Sequence, residues 1–523
     1  MRHRDGRELV ADQGQQVRRE EVAVFADREH LGVRGGTFGH QVLLDLPTPN
    51  RIGAGGGEGR SRRSGPFGSV RGRSISCPRA GSVTRLTRTP VAAGCSAGSP
   101  TRDTHPEASL VTSAPLTFGQ LAIWRDVESV PRDRWHEPNI VQAWELPAGT
   151  GTADVRAALA ALVRRHESLR TTYDLSDPAA PRQVPHPPRT PDVAVQRAAD
   201  PRVDLDTVRE QLARQPFSLV REPAWRATVV AAGDAPTHLV LVHHHMVADG
   251  LATWVLRRDF LAALAGTLDD AVSGPRTIVA HEQSPAGQRR GAAAMDYWAK
   301  LLTEVPPPAV GQPPFVEARL VSRALAGAAR RVAARLRVSV ANVVLSAFCA
   351  GLFAVGGDDR LLVRVLSSNR FDPYRRDVVT SMNQWIPVLF DRPSGPGLAD
   401  LVREVVTRTR VAYAHGVYDV DRAFRLLDEA GYRRGQYDST WSVNFIARRA
   451  DEPEPSDPDL DAAEDATVSW AAPFSSVGPR RYLRVIEGTD LTCELRVPVG
   501  RSAVAAELLR RMRQALLDAD RAG

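Results

Sequence analysis

Residues 235–267 read APTHLVLVHHHMVADGLATWVLRRDFLAALAGT. Leu239–Val242 is a continuous apolar run behind a turn, and so short a run, with no polar alternation, forms a strand covered on both faces. After Asp249-Gly250 the apolar residues recur at helical spacing, so the chain leaves the strand through a turn into an amphipathic helix. Three imidazoles stand at the break. A residue placed where a strand gives way to a turn keeps a fixed backbone while its side chain points out of the sheet, which aims His245 into a cleft. Gly250 is expected to permit the tight return into the helix, by a positive φ or by close backbone approach.

The same alternation of strand and helix patterns runs through the chain from "APLTFGQLAIW" (114–124) onward. "TADVRAALAALVRR" is apolar at helical spacing, with Thr152 and Asp154 available to cap its start. "VSRALAGAARRVAARLRVSVANVVLSAFCAGLFAVG" reads as two helices split near Val338, and "RLLVRVLSS", "QWIPVLF" and "STWSVNFIA" read as strands. Residues 265–292 are polar and punctuated by Gly and Pro. The expected layout is a lobe over 113–270, a linker over 271–291 and a second lobe over 292–523, with a cleft between the lobes. An acidic stretch, "DEPEPSDPDLDAAEDA" (451–466), reads as a mobile loop.

Residues 1–110 follow a different pattern, rich in Gly, Ser and Arg and nearly free of apolar periodicity. Such a segment cannot bury enough surface to offset its ordering entropy. It is read as a disordered Arg/Gly-rich extension, or as the product of an upstream start codon; a nucleic-acid-binding tail is the less favoured alternative.

A chain of 523 residues exceeds what one hydrophobic core usually serves, so two or three domains are expected. The net charge of +7 is localised: residues 1–110 carry 17 Arg against 11 acids, the remainder 51 basic residues against 50 acids. The body is therefore close to neutral, and a basic groove for a phosphate backbone is not indicated. No apolar run approaches the ~20 residues of a membrane span, and the N-terminus lacks the apolar core of a secretory signal. Cys77, Cys95, Cys349 and Cys493 lie far apart, which suits a reducing cytoplasm better than a disulfide framework or a zinc site.

An imidazole in a cleft suits acyl transfer from a thioester to an amine or hydroxyl. That reaction needs a group able to take a proton near neutral pH and a frame that orients both substrates, and the ordinary imidazole pKa of about 6.5 fits the first need. The competing readings are a satisfied core histidine or a metal ligand. Metal binding is disfavoured, because adjacent strand residues point to opposite faces and no Cys or Glu nearby completes a tetrahedral set. His244 is expected to pack or hydrogen-bond beneath His245, and His243 to be a strand residue without chemistry. Asp249 is open to two roles: orienting the histidine, or a structural charge elsewhere in the turn.

His244-His245-Met246-Val247-Ala248-Asp249-Gly250 matches HHxxxDG. It resembles the active-site signature of nonribosomal peptide synthetase condensation domains, shared with chloramphenicol acetyltransferase and related acyltransferases. Further segments are similar to that family in order and spacing. "LTFGQLAIW" (116–124) carries Gln120 and Trp124, and "RHESLRTTY" (165–173) carries Tyr173 in place of Phe. "FSLVREPAWRATVV" (217–230) and "MDYWAKLL" (295–302) follow. Later segments depart from the pattern. "VTSMNQWIPV" (379–388) has Thr380 for Gly and Gln384 for Asn, "AHGVYDVDRAF" (414–424) keeps little beyond His415, and "WSVNFI" (441–446) keeps an Asn-Phe pair.

The resemblance implies an α/β (α+β two-layer) fold of two chloramphenicol-acetyltransferase-like lobes, forming a V-shaped pseudo-dimer with the active site in the cleft. It implies His245 as the catalytic residue, supported by His244, Asp249, Gly250 and Arg370, with Asp249 and Arg370 as a structural ion pair. His166 and Arg170 are read as fold-stabilising. Gln384, Trp385, His415 and Asn444 are candidate substrate-channel residues. The implied function is a freestanding, monomeric condensation enzyme of natural-product biosynthesis. It would join an acyl or aminoacyl thioester on the phosphopantetheine of a carrier protein, supplied in trans, to an amine or alcohol acceptor. No cofactor or metal is expected in the chain. The alternatives are an acyl-CoA-dependent O- or N-acyltransferase, whose plant types carry a DFGWG segment not found here, and a non-catalytic docking module. Epimerisation domains share HHxxxDG, but "RHESLRTTY" favours condensation.

Overall fold

The computed structural model describes residues 113–522, apart from 199–200, 270–273, 396, 449–467 and 477. The expected extension over 1–110 and the acidic stretch at 451–466 lie outside the described residues.

The first lobe is built on a four-stranded sheet in the spatial order Asn139–Glu145, Ala235–His244, Trp225–Ala232, Ala194–Ala198. The histidine strand is central, pairing Asn139 with His244 on one side and Trp225 with His243 on the other. Both faces of that strand are covered: Leu239, Val240, Leu241 and Val242 are each at most 2% exposed. Helices Thr152–Arg165 and Gly250–Leu264 bring Leu159, Leu162, Leu256 and Phe260 into the same core. Burying each such side chain stabilises the lobe by about 1.5–3 kcal/mol, which is why an apolar run this short suffices to specify a strand. Of the two caps expected at the helix starting near 152, Asp154 acts, accepting the Gly151 N–H at 2.8 Å, while Thr152 is already helical. His166 meets Asp259 at 3.0 Å, and Arg170 donates to the His186 carbonyl at 2.6 Å.

The second lobe carries a seven-stranded sheet in the order Gln384–Asp391, Arg360–Ser367, Trp441–Ile446, Arg481–Glu487, Leu491–Pro498, Phe315–Ser322, Val468–Trp470. Alternate residues, among them Val363, Val443, Leu483, Cys493, Leu495 and Ala318, form one apolar face. Helices Arg323–Leu336, Val340–Gly356, Leu398–Tyr413 and Ser502–Arg521 pack against it. The break near Val338 is as read from the sequence: Arg337 turns left-handed at φ 55° and Ser339 accepts the Asn342 N–H at 3.2 Å. The two helices meet there at 109°. Among the described residues no single helix is long and apolar enough to cross a membrane.

The stretch 271–291 corrects the expectation of a linker. Helix Pro275–Gln283 occupies it, and helix Pro285–Leu302 begins within it. Gly and Pro here mark helix starts: Gly274 and Ser284 are N-caps, each followed by proline at the first helical position, where the missing N–H is not needed. Ile278 is fully buried against Val378 and Met382.

The lobes are joined at two seams. Along the first, Arg125 makes a two-pronged ion pair with Asp421 at 2.6 and 2.7 Å, and Arg434 pairs with Asp126 at 2.6 Å. Along the second, segment 377–383 of the second lobe lies against the first: Thr117 donates to the Ser381 carbonyl at 3.2 Å, Ser168 donates to the Val379 carbonyl, and Arg258 pairs with Asp377 at 2.6 Å. A Cβ at Gly119 would lie 2.4 Å from the Ser381 carbonyl oxygen, so only glycine lets the helix Phe118–Val127 approach this closely.

Candidate active site

The strand ends at His244, and the turn that follows carries His245. Its backbone N–H donates to the Pro138 carbonyl at 3.2 Å. His245 as a residue is partly exposed, whereas His243 and His244 are buried at 0% and 1%. Ser381, delivered by the second lobe, places its hydroxyl 3.4 Å from His245 Nδ1 and donates to Asn383 at 3.0 Å. A hydroxyl whose proton is committed to Asn383 offers His245 a lone pair, which favours the tautomer protonated at Nδ1 and leaves Nε2 as the acceptor. Burial lowers the His245 pKa below its ordinary value, partly offset by its own backbone carbonyl and by Asp249. The shift favours the neutral ring.

Asp249 does not touch His245. It is the N-cap of helix Gly250–Leu264, accepting the Ala252 N–H at 2.8 Å, and is 2% exposed. Its carboxylate also accepts from Arg370 at 2.9 Å and from the Met382 N–H at 2.9 Å. Arg370 in turn donates to the carbonyls of Arg375, Val378 and Thr380 at 3.0, 2.7 and 3.0 Å. This pair therefore ties the turn bearing His245 to the segment bearing Ser381. Of the two roles open to Asp249, the geometry favours the structural one.

His244 lies beneath, its Nδ1 accepting the Met246 N–H at 3.2 Å and its Nε2 buried without a partner among the described residues. His243 Nε2 stands 2.9 Å from the Thr253 hydroxyl. No group of three or more His, Cys, Asp or Glu among the described residues is placed to hold a metal ion. Gly250 corrects an expectation: its φ is not positive, and no atom lies within 4 Å of a Cβ built there. Asp249, extended at φ −87° and ψ −179°, makes the entry into the helix, so the glycine instead leaves open space over the first turn.

The Condensation domain family model matches residues 138–435, more than half of the chain. The chain belongs to the condensation-domain family. Phosphinothricin tripeptide synthetase PhsC of Streptomyces viridochromogenes is 28% identical over 346 residues, 61% of this chain and 31% of that protein. The isonitrile lipopeptide synthase of Mycobacterium tuberculosis is 27% identical over 334 residues, 57% of this chain and 13% of that protein. The chain thus spans less than a third of the length of these relatives. Three solved structures share the fold. The condensation domain of chain release from the enacyloxin polyketide synthase has a TM-score of 0.64 at 21% identity, covering 79% of this chain and 82% of that one. The SgcC5 protein from Streptomyces globisporus has a TM-score of 0.61 at 18% identity, covering 78% and 99%. The X-domain from teicoplanin biosynthesis has a TM-score of 0.60 at 18% identity, covering 80% and 96%.

In this condensation-domain chain the four candidate channel residues divide. Trp385 and Asn444 come together: Trp385 meets the Tyr482 ring edge-on at 5.8 Å, and the Asn444 amide donates to the Tyr482 hydroxyl at 3.2 Å. His415 is held elsewhere, stacked on Tyr297 at 4.7 Å. Gln384 corrects the expectation of a channel residue. It is 2% exposed, and its amide is occupied by the Tyr418 backbone, donating to the carbonyl at 2.7 Å and accepting the N–H at 3.4 Å. Ser381 and Tyr482 were missed from the sequence, because neither belongs to the histidine motif. The substitutions at Thr380 and Gln384 marked the segment that carries Ser381 as unusual.

Burial pushes His243 down to about 4 and His244 to about 3. With folded pKa values below the unfolded 6.5, the unfolded chain binds the extra protons between these limits. Their contribution to stability is therefore complete above pH 6.5 and lost as the pH falls, at up to about 1.4 kcal/mol per pH unit for each ring. Glu282 and Asp126, raised by burial to about 7 and about 6, and Glu317, also raised, act in the opposite sense, so the contribution of a buried ring is read from the difference between wild type and a variant lacking it. Relative to wild type, His244→Asn is expected to lose less of its urea midpoint between pH 7.5 and pH 5. An identical pH dependence in wild type and His244→Asn contradicts the assignment of His244 as a buried neutral ring.

Proposed function

We propose that this chain is a condensation enzyme, freestanding and monomeric, in which His245 Nε2 accepts the proton of an attacking amine or alcohol. The acyl donor is a thioester on the phosphopantetheine of a carrier protein supplied in trans. The nucleophile adds to the thioester carbonyl as its proton passes to His245. The C–S bond then breaks, and the imidazolium returns the proton to the departing thiolate, giving an amide or ester and a free thiol. The observation that carries this reading is a partly exposed histidine whose Nε2 makes no hydrogen bond among the described residues, held between two lobes by Ser381 and by the Asp249–Arg370 pair. Condensation domains generally form amides and bind no cofactor of their own, which supports the reading, as do the neutral charge balance of residues 111–523 and the cytoplasmic cysteine usage.

The test incubates purified protein with an acylated carrier protein, or the matching acyl-CoA, and an amine acceptor, following product by mass spectrometry. Amide formed from the carrier-bound donor supports the proposal. Amide formed only from acyl-CoA identifies a CoA-dependent acyltransferase, and no turnover with any donor identifies a docking module. The pH profile offers a separate check. A base with a lowered pKa stays unprotonated to more acidic pH, so the acid limb of kcat/KM is expected with a midpoint below 6.5.

A further inference from the structure

Residues of the second-lobe sheet opposite its helix-covered face are polar. The register places Asn444 beside Arg484, Arg484 opposite Glu494, Tyr482 opposite Arg496 and Arg496 opposite Glu317. Most charges in this row are satisfied: Arg484 donates to Glu494 at 2.6 Å, and Arg319 reaches the same carboxylate at 3.7 Å. Arg496 is the exception. Its one hydrogen bond among the described residues is to the Ser476 hydroxyl at 3.3 Å, and its Nε is buried without a partner. Glu317 stands opposite it in register, yet the two form no ion pair among the described residues.

The surroundings of this guanidinium are aromatic. It lies 5.1 Å from the Phe474 ring centre and 5.5 Å from that of Tyr482, and Tyr482 leads to Trp385 and Asn444. Burial lowers the Arg496 pKa, with Glu317 and the first-lobe Glu137 opposing the shift. Glu137 is already held by Arg134 at 3.1 Å and immediately precedes Pro138, whose carbonyl anchors the His245 N–H. Arg496 thus lies within electrostatic reach of Glu137 in the loop that anchors His245. Two residues beyond Asn383, the partner of Ser381, the strand Gln384–Asp391 carries Trp385.

We propose that Arg496 binds a carboxylate of the acceptor, with Phe474, Tyr482 and Trp385 contacting its apolar or aromatic body. A desolvated guanidinium with a carboxylate nearby but none hydrogen-bonded to it has donors to spare, and its planar donors match a carboxylate in a two-pronged geometry. An acceptor tethered to a carrier protein has its carboxyl consumed in the thioester. For any acceptor with a single carboxyl, a site for a free carboxylate therefore assigns this enzyme a diffusible, carboxylate-bearing amine or alcohol. The inference rests on the condensation reading given above, and its test is separable from that reading.

The experiment measures binding to the full chain by ligand-observed NMR, without any acyl donor. The probes are the common amino acids and, one for one, their carboxamides. At least one carboxylate is expected to bind, with its amide weaker by about ten-fold or more. Arg496→Gln is expected to abolish that difference, while Arg496→Lys retains part of it. Equal binding of acid and amide to the wild-type chain, or no saturable binding of any carboxylate, overturns the proposal without recourse to a variant. If transfer to simple amines proceeds but no carboxylate preference appears, the acceptor assignment falls and the condensation reading stands. If a carboxylate binds through Arg496 but no donor is ever transferred, the converse holds.

Discussion

His245→Ala is expected to reduce acyl transfer by about 10²–10⁴-fold, the range that a positioned general base contributes. Its fold is expected to be unchanged. The imidazole's one side-chain hydrogen bond among the described residues is the long contact to Ser381 at 3.4 Å, and the backbone bond to Pro138 at 3.2 Å survives the substitution. The residue is only partly exposed, so the truncation is expected to cost about 1 kcal/mol, a shift of a few degrees in the thermal midpoint. The loss is expected in kcat/KM for every donor and acceptor pair, since the base acts on the nucleophile and not on one substrate's recognition. Retained activity in a folded His245→Ala protein removes the catalytic assignment. A comparable loss in His243→Ala would carry no such meaning, because that ring is wholly buried.

Asp249→Ala is expected to destabilise the chain by about 3–5 kcal/mol, the cost of leaving one member of a buried ion pair uncompensated. Arg370, 7% exposed, would lose its only carboxylate partner among the described residues, and the Ala252 and Met382 N–H groups would lose their acceptor. Because the same carboxylate joins the His245 turn to the Ser381 segment, activity is expected to fall with stability. Asp249→Asn keeps an oxygen for the helix N-terminus but not the charge, so a smaller loss is expected. The urea midpoint measures both. A midpoint for Asp249→Ala within about 1 kcal/mol of wild type would contradict the structural role and reopen that of an orienting group for the histidine.

The strand and helix at 235–267, the helix break at Val338 and the strands around Leu362, Val388 and Val443 were legible because each buries a periodic apolar set, a property of neighbours in sequence. The 271–291 stretch was misread for the same reason. Its Gly and Pro stand at helix starts, and Ile278, Val378 and Met382, which cover each other there, come from distant segments. Gly250 was misassigned because a glycine before a helix suggests a strained turn, when the extended Asp249 already makes the turn.

At the site, the identity of the reactive ring and of the Asp249–Arg370 pair came from a local motif and its resemblance to a known family. What that motif cannot contain is the second lobe's contribution. Ser381 lies 136 residues from His245 and Arg370 lies 121 from Asp249, and no periodicity links positions so far apart. Gln384 looked like a channel residue by position until its amide was found clamping Tyr418. Which imidazole nitrogen is engaged depends on a hydrogen bond that closes only when the two lobes meet, and which guanidinium lacks a hydrogen-bonded carboxylate depends on strand pairing within the second lobe. Local patterning sets elements and their buried faces; the protonation and pairing of polar groups are settled by packing, where a single unpaired charge outweighs any local preference.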